Sequence, residues 1–181
     1  ENVKKFTEKY GFPLVLKVVS DEALHKSDVG GVVIAYNQND LESKWTEMEK
    51  NLKKNKIKYE GILIQQFIEG EQIFIGISKD EVFGHVIGTG IGGIAVEAIK
   101  DVQFRKCPIN EDDAESMLQN LKMKGLLYSE RKKLALDELK NVIVAVSKLP
   151  NKVKNIKELD INPVILNSKE CVVVDARVVL G

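Results

Sequence analysis

The chain has 181 residues, with 27 basic and 27 acidic side chains and a formal charge of zero. A nucleic-acid binder normally presents a basic face, so that class is set aside, and no apolar run approaches the ~18 residues of a membrane span. Cys107 and Cys171 are too few and too differently placed for a disulfide framework or a metal knuckle, which points to a reducing cytoplasm.

The first residues, Glu1-Asn-Val-Lys-Lys5, do not resemble a signal peptide. Residues 2–10 read as a helix stopped by Gly11. Leu14 to Val19 is a continuous apolar run, the pattern of a strand covered on both faces. A polar segment from Ser20 to Asp28 leads to Gly30-Gly31 and a second strand, Val32 to Ala35. Asp40 is a good N-cap for a helix carrying Leu41, Trp45, Met48 and Leu52 on one stripe. Ile62 to Phe67 is the next strand, then Ile73 to Ile77 after a turn at Glu69-Gly70. Val82 to Val86 continues the strand pattern. Gly88-Thr-Gly-Ile-Gly-Gly93 interrupts it, and Ala95 to Val102 resumes as a strand or a short helix.

From Asn110 the period becomes helical. Asn110 followed by Asp113 marks a helix start, with acids at the positive end of the macrodipole. A second helix from about Ser129 carries Leu134, Leu139, Val142, Ile143, Val146 and Leu149, and Leu149-Pro150-Asn151 is its exit. The last segment alternates apolar and polar residues in two pieces, Glu158 to Pro163 and Val172 to Arg177, joined by the polar turn Asn167-Ser-Lys-Glu170. This is a β-hairpin. If Leu166 faces Cys171 across the turn, Asn162 lies directly opposite Asp175. Opposed side chains have Cβ atoms roughly 5 Å apart, so an amide oxygen and a carboxylate there can share one hard cation. A surface hairpin with an acidic outer face has the same pattern. Pro163 must sit at an edge or a bulge, which can shift the register.

Other residues carry chemistry less specifically. Lys17 is the one cation in the first buried-type strand; it fits a phosphate as a point charge, or an edge lysine whose head reaches water. His25 lies in a polar loop, as a nucleophile or as a loop histidine bonded to its own backbone. His85 sits in an alternating strand and reads as structural. Gly88 to Gly93 matches neither the phosphate-loop nor the dinucleotide spacing. Glu97 and Arg105 follow at a distance that returns both to one cleft, where they would serve metal and oxyanion charge, or form a surface ion pair.

Taken in order, these blocks resemble the ATP-grasp domain of NDP-forming acyl-CoA synthetases, such as the β subunit of ADP-forming acetate–CoA ligase. The matching blocks are Gly11 to Val18, Leu24-His-Lys-Ser-Asp-Val-Gly-Gly31, Gly88 to Ile94 with Glu97 to Arg105, Glu158-Leu-Asp-Ile-Asn-Pro163 and Val174-Asp-Ala-Arg177. The resemblance implies an α/β, two-lobed ATP-grasp fold lacking its N-terminal helices. Residues 1–63 would form the smaller lobe and 64–181 the larger one, ending in the metal-binding hairpin. It implies that acyl-CoA, ADP and phosphate interconvert with free acid, CoA and ATP. His25 would be the phosphohistidine carrier, with Glu97 and Arg105 flanking the phosphoryl group. Lys17 would neutralise nucleotide phosphates. Gln65, Gln66 and Phe67 would lie at the hinge that seats adenine, with Gln72 in the following strand. Asn162 and Asp175 would hold Mg2+, with ATP or ADP as substrate.

The implied partner is a CoA-binding α subunit or domain, in a heterotetramer or a fused chain, with no nucleic acid or membrane involved. Gln66 and Gln72 stand where relatives usually carry Glu, a departure that implies reduced nucleotide affinity. The segment Lys122 to Arg131 is shorter than the usual loop. The competing reading is a regulatory nucleotide-binding ATP-grasp domain without catalysis, as in fusions to protein acetyltransferases.

Overall fold

The computed structural model describes residues 2–20, 29–92, 101–129 and 132–181. They group into two compact units, Glu1–Ile68 and Glu69–Gly181.

In the first unit, helix α1 (Asn2–Tyr10) stops at Gly11, whose N–H reaches the Thr7 carbonyl at 2.9 Å and whose φ of +68° suits glycine. Strands β1 (Leu14–Val19), β2 (Val32–Ala35) and β3 (Gly61–Gln66) form an antiparallel sheet in the order β2-β1-β3. Helix α2 (Gln38–Lys54) covers one face. Its Leu41, Met48 and Leu52 bury against Leu16, Val18 and Ala35, with Trp45 partly buried beside them, so the sequence stripe is the packing stripe. The cap differs from expectation. Asn37, not Asp40, caps α2 by accepting from the Asp40 N–H, and the Asp40 carboxylate turns back to accept from the Tyr36 N–H at 2.9 Å. Both residue types are good caps; the one three positions earlier takes the role and leaves Asp40 in the first turn.

The second unit is a six-stranded sheet in the order β6-β5-β4-β7-β8, with β9 also on β7. The strands are β4 (Glu71–Asp80), β5 (Gly84–Ile91), β6 (Val102–Lys106), β7 (Ile156–Leu166), β8 (Cys171–Val173) and β9 (Ala176–Leu180). Helices α3 (Glu111–Gln119) and α4 (Leu136–Ser147) pack on one face over Ile73, Ile75, Ile77, Ile87, Leu159 and Ile161. The other face carries none of these core side chains. Asn110 and Asp113 form the full capping box of α3.

Three expectations are corrected here. Val82 does not begin a strand: Glu81–Phe83 is the turn between β4 and β5, fixed by the Asp80 carboxylate accepting from the Val82 and Phe83 N–H groups at 2.8 Å each. Gly88 and Gly90 do not interrupt a strand but lie inside β5. The second helix starts at Leu136 rather than near Ser129, after a 3-10 turn at Lys124–Leu126 and a stretch tied to the sheet by the Ala135 N–H on the Asn167 carbonyl. That helix ends at Ser147, and Pro150 falls in a short helix α5 (Leu149–Lys152), near its start where proline is tolerated. Most of the segment expected to resume after the glycines lies outside the described residues; β6 begins at Val102. Among the described residues no helix is long and apolar enough to cross a membrane.

Candidate functional site

The C-terminal hairpin is built by a local turn. Asn167 Oδ1 accepts from the Lys169 and Glu170 N–H groups, at 2.9 and 3.1 Å, and the Asn167 N–H donates to the Glu170 carbonyl. This sets Leu166 opposite Cys171, as the sequence predicts, followed by Ile165 opposite Val172 and Val164 opposite Val173. On the far side of a short gap the same register returns as Ile161 opposite Ala176 and Asp160 opposite Arg177. The gap holds Asn162-Pro163 on one strand and Val174-Asp175 on the other. Counting across it from either side sets Asn162 against Asp175, and the Val174 N–H reaches the Pro163 carbonyl at 3.3 Å. Both side chains of the pair are half-buried.

Proline does produce an irregularity, but on the other edge. Between Ile73 and Ile75, β4 spends two residues while β7 spends three, from Val164 to Ile161. The bulge absorbs Pro163 against β4 and leaves the pairing with β8 and β9 in step.

In the first unit, Lys17 sits centrally in β1, opposite Val32 and Leu63, and is only 8% exposed. Its neighbours Leu16 and Val18 face α2, so Lys17 emerges on the opposite face. Gln65 pairs with Val15 and shares that face with Lys17, a diagonal neighbour within reach of a long side chain. Gln66, opposite Leu14, alternates to the other side and is exposed. Phe67 follows the strand, its N–H on the Pro13 carbonyl at 3.3 Å. In the second unit Gln72 is exposed in β4, adjacent to buried Ile73.

Arg105 lies on β6, with its guanidinium donating to the Phe104 carbonyl at 2.8 Å and to Ser116 Oγ on α3 at 3.3 Å. It therefore points to the helix-covered side of the sheet. Asp160 and Phe104 belong to the uncovered side. His25 and Glu97 lie outside the described residues. His85 is structural, as expected: its Nε2 is 2.8 Å from the Ile156 carbonyl. Burial pushes the Cys107 and Cys171 thiols up to about 11, so both stay protonated at neutral pH and behave as packing groups.

Sequence reasoning missed the role of Asp101. Only 5% exposed, its carboxylate accepts from the Lys122 and Met123 N–H groups at 2.9 and 2.8 Å, anchoring the segment after α3 to the start of β6. Nothing near it in sequence signals this, because the partners are some twenty positions away.

Among the described residues no group of three or more His, Cys, Asp or Glu could hold a metal. An Asn–Asp pair is a different kind of site, one that supplies two oxygens and leaves the remaining positions to water and phosphate. Residues 1–180 match a family model described as an ATP-grasp domain. The chain belongs to the ATP-grasp family.

Similar curated proteins place this ATP-grasp domain among particular relatives. It is 38% identical over 185 residues to ADP-forming acetate–CoA ligase II subunit beta of Pyrococcus furiosus, covering 97% of this chain and 78% of that one. It is 35% identical to the beta subunit of ligase I from the same organism, covering 99% and 80%. With ADP-forming acetate–CoA ligase I of Archaeoglobus fulgidus the identity is 37%, over 100% of this chain but only 27% of that one. Among solved structures, dinucleotide-forming acetyl-coenzyme A synthetase 1 of Ca. Korarchaeum cryptofilum, in complex with coenzyme A and Ca-AMPCP, superposes with a TM-score of 0.88 at 37% identity, covering 98% of this chain and 80% of that one. The same synthetase with coenzyme A and Mg-AMPPCP, its phosphohistidine segment pointing towards the nucleotide-binding site, gives a TM-score of 0.79 at 33% identity and the same coverage.

Proposed function

We propose that this chain is the nucleotide-binding, phosphohistidine-carrying part of an ADP-forming acyl-CoA synthetase. The reaction is acyl-CoA, ADP and phosphate to free acid, CoA and ATP. The observation that carries the reading is the hairpin register: it sets Asn162 against Asp175, in a chain alike over nearly its whole length to β subunits of ADP-forming acetate–CoA ligases. Those similarities favour catalysis over a purely regulatory nucleotide-binding domain.

Each residue then has a physical role. A histidine of the CoA-binding partner first takes the phosphoryl group from an acyl phosphate, its N–P bond forming as the acyl O–P bond breaks and the acid leaves. His25 then takes the group from that histidine as the first N–P bond breaks. It then yields that group to a β-phosphate oxygen of ADP, and the imidazole is regenerated. The Lys17 ammonium, held in a strand on the face opposite α2, supplies a fixed positive charge for nucleotide phosphates. Gln65 shares that face, and with Gln66 and Phe67 it forms the end of the strand assigned to the base. Gln72 offers the ribose an amide where a carboxylate would accept more strongly, which predicts weaker nucleotide binding. Two oxygen donors set against each other suit Mg2+, so Asn162 and Asp175 would hold it. When bound, it neutralises phosphate charge. Glu97 and Arg105 are assigned to the phosphoryl group in transfer. To serve there, the Arg105 guanidinium must exchange its bonds to Phe104 and Ser116.

The partner in this reading is a CoA-binding α subunit, or the equivalent domain of a fused chain. Both arrangements fit the relatives, in which the matching region is 78–80% of a β subunit or 27% of a longer ligase. The setting is cytoplasmic.

The test is to incubate the chain with magnesium and γ-labelled ATP, beside a His25→Ala variant. Acid-labile, base-stable label that is absent from the variant is the expected result. No label on the chain, while ATP still protects it against heat, would overturn the carrier role and leave a nucleotide-binding domain.

A further inference from the structure

The two edges of the larger sheet are finished differently on the helix-covered side. Along β6 the row facing the helices is Asp101, Gln103 and Arg105. Each bonds to α3 or to the chain leaving it: Asp101 to the Lys122 and Met123 N–H groups, Gln103 to the Asn120 carbonyl, Arg105 to Ser116 Oγ. On the opposite edge the row is Cys171, Val173, Ala176, Val178 and Leu180. These stand opposite the β7 core residues Leu166, Val164, Ile161, Leu159 and Ile156 in turn, and so share their side of the sheet. Yet the helix layer stops short of them. Cys171 is half-buried, whereas Val178 is 51% and Leu180 55% exposed, and Val173 and Ala176 are exposed as well. From Cys171 to Leu180 this apolar stripe runs about 30 Å, at about 3.3 Å per residue.

The stripe also lies on an open edge. Among the described residues β8 and β9 pair with β7 alone. Proteins ordinarily protect such an edge with lysine or proline. Here β8 and β9 contain no proline and one charge, Arg177, which alternates to the other face. The ends of the stripe are unlike. Beside Leu180, residues 148–157 carry Lys148, Lys152, Lys154 and Lys157 and no acid, and a Cβ on Gly181 would meet the Lys157 side chain. Beside Cys171 stand exposed Glu170 and Glu138, whose carboxylate accepts from the Cys171 N–H at 3.1 Å; Lys169 is the cation nearest in sequence.

A two-fold axis through the middle of the stripe would set the acidic end of one copy against the lysines of another. It would also keep the two lysine clusters about 30 Å apart, well beyond the screening length of about 8 Å. We propose that the β8–β9 stripe is the contact between two copies of this chain, packed antiparallel about such an axis. An apolar segment of another protein would cover the same side chains but leave the contrast between the ends unused. One strand row is narrow, so the contact falls below the roughly 800 Å² per partner of a standard interface and the dimer is weak. No residue of the stripe is assigned to phosphoryl transfer, and the inference is independent of that reading.

Sedimentation equilibrium of the whole chain, from about 10 µM to about 1 mM, tests this. The mass should rise with concentration towards that of two chains and stop there. Val178→Lys puts a charge on an exposed edge position and should weaken dimerisation about tenfold or more, with Leu180→Gln, about threefold, as a milder second variant. Glu170→Lys and Lys154→Glu should each weaken it about threefold. The double variant should recover most of that loss, because the reversed ends meet again across the axis. All four positions are exposed, and an unchanged melting temperature checks that each variant is folded. A chain that stays monomeric throughout would overturn the proposal. So would a dimer indifferent to Val178→Lys, growth past two chains, or a double charge reversal no better than the single ones.

Discussion

Strand β5 and the C-terminal hairpin belong to one sheet, yet their shapes are fixed over very different distances along the chain. The hairpin closes through Asn167, whose side chain organises the turn between two strands that are neighbours in sequence. In β5 the decisive contacts come from elsewhere. Gly90 is glycine because a Cβ there would stand 2.2 Å from the Asp101 carbonyl oxygen, and Gly88 because one would meet the Phe104 ring. The hairpin is specified by the side chains it has, β5 by those it lacks. The first arrangement places polar groups against each other; the second lets neighbouring strands and rings approach closely.

Substitutions can break or sharpen that contrast. The largest effect is expected for Gly90→Ala. Its Cβ collides with backbone, which cannot swing aside, so urea unfolding should show a loss of about 3 kcal/mol or more. Next comes Asp101→Ala, which strips two backbone N–H groups of their acceptor; a loss of about 2–3 kcal/mol is expected by the same measurement. Asn167→Ala removes the acceptor that organises the hairpin turn, on a more exposed site, and should cost about 1 kcal/mol. Gly88→Ala should cost least, about 1 kcal/mol or below, because the obstacle is the end of a largely exposed ring that can turn away. If Gly88→Ala proved as damaging as Gly90→Ala, the distinction between backbone and side-chain obstacles would fail.

The same contrast explains what the sequence made legible. Alternation and a polar four-residue turn were enough to derive the pairing of Leu166 with Cys171, and the apolar stripe of α2 is the stripe that packs. Gly88 and Gly90 read as a break because glycine ordinarily ends strands; the ring and carbonyl that demand it in β5 are not neighbours in sequence. The Asp40 cap failed because Asn37 offers the same chemistry three residues earlier. The start of α4 was misplaced because its apolar spacing extends back through Leu134, a core-packing residue held outside the helix by the Ala135–Asn167 contact. Of the candidate site, the register on either side of Asn162 and Asp175 and the strand position of Lys17 were readable from period-two logic. The orientation of Arg105 was not, because its direction is set by Ser116 on a helix that comes later in the chain.

The central claim is that the opposed pair Asn162 and Asp175 is the metal-binding end of a nucleotide site. Calorimetric titration of ADP into the chain, with and without magnesium, beside Asp175→Asn tests it most directly. The account predicts that magnesium tightens binding to the wild-type chain at least about tenfold, as expected where a bound ion is among the largest local charges. That gain should vanish in Asp175→Asn, with melting temperature and magnesium-free affinity little changed. An identical magnesium dependence in the two proteins would contradict the assignment.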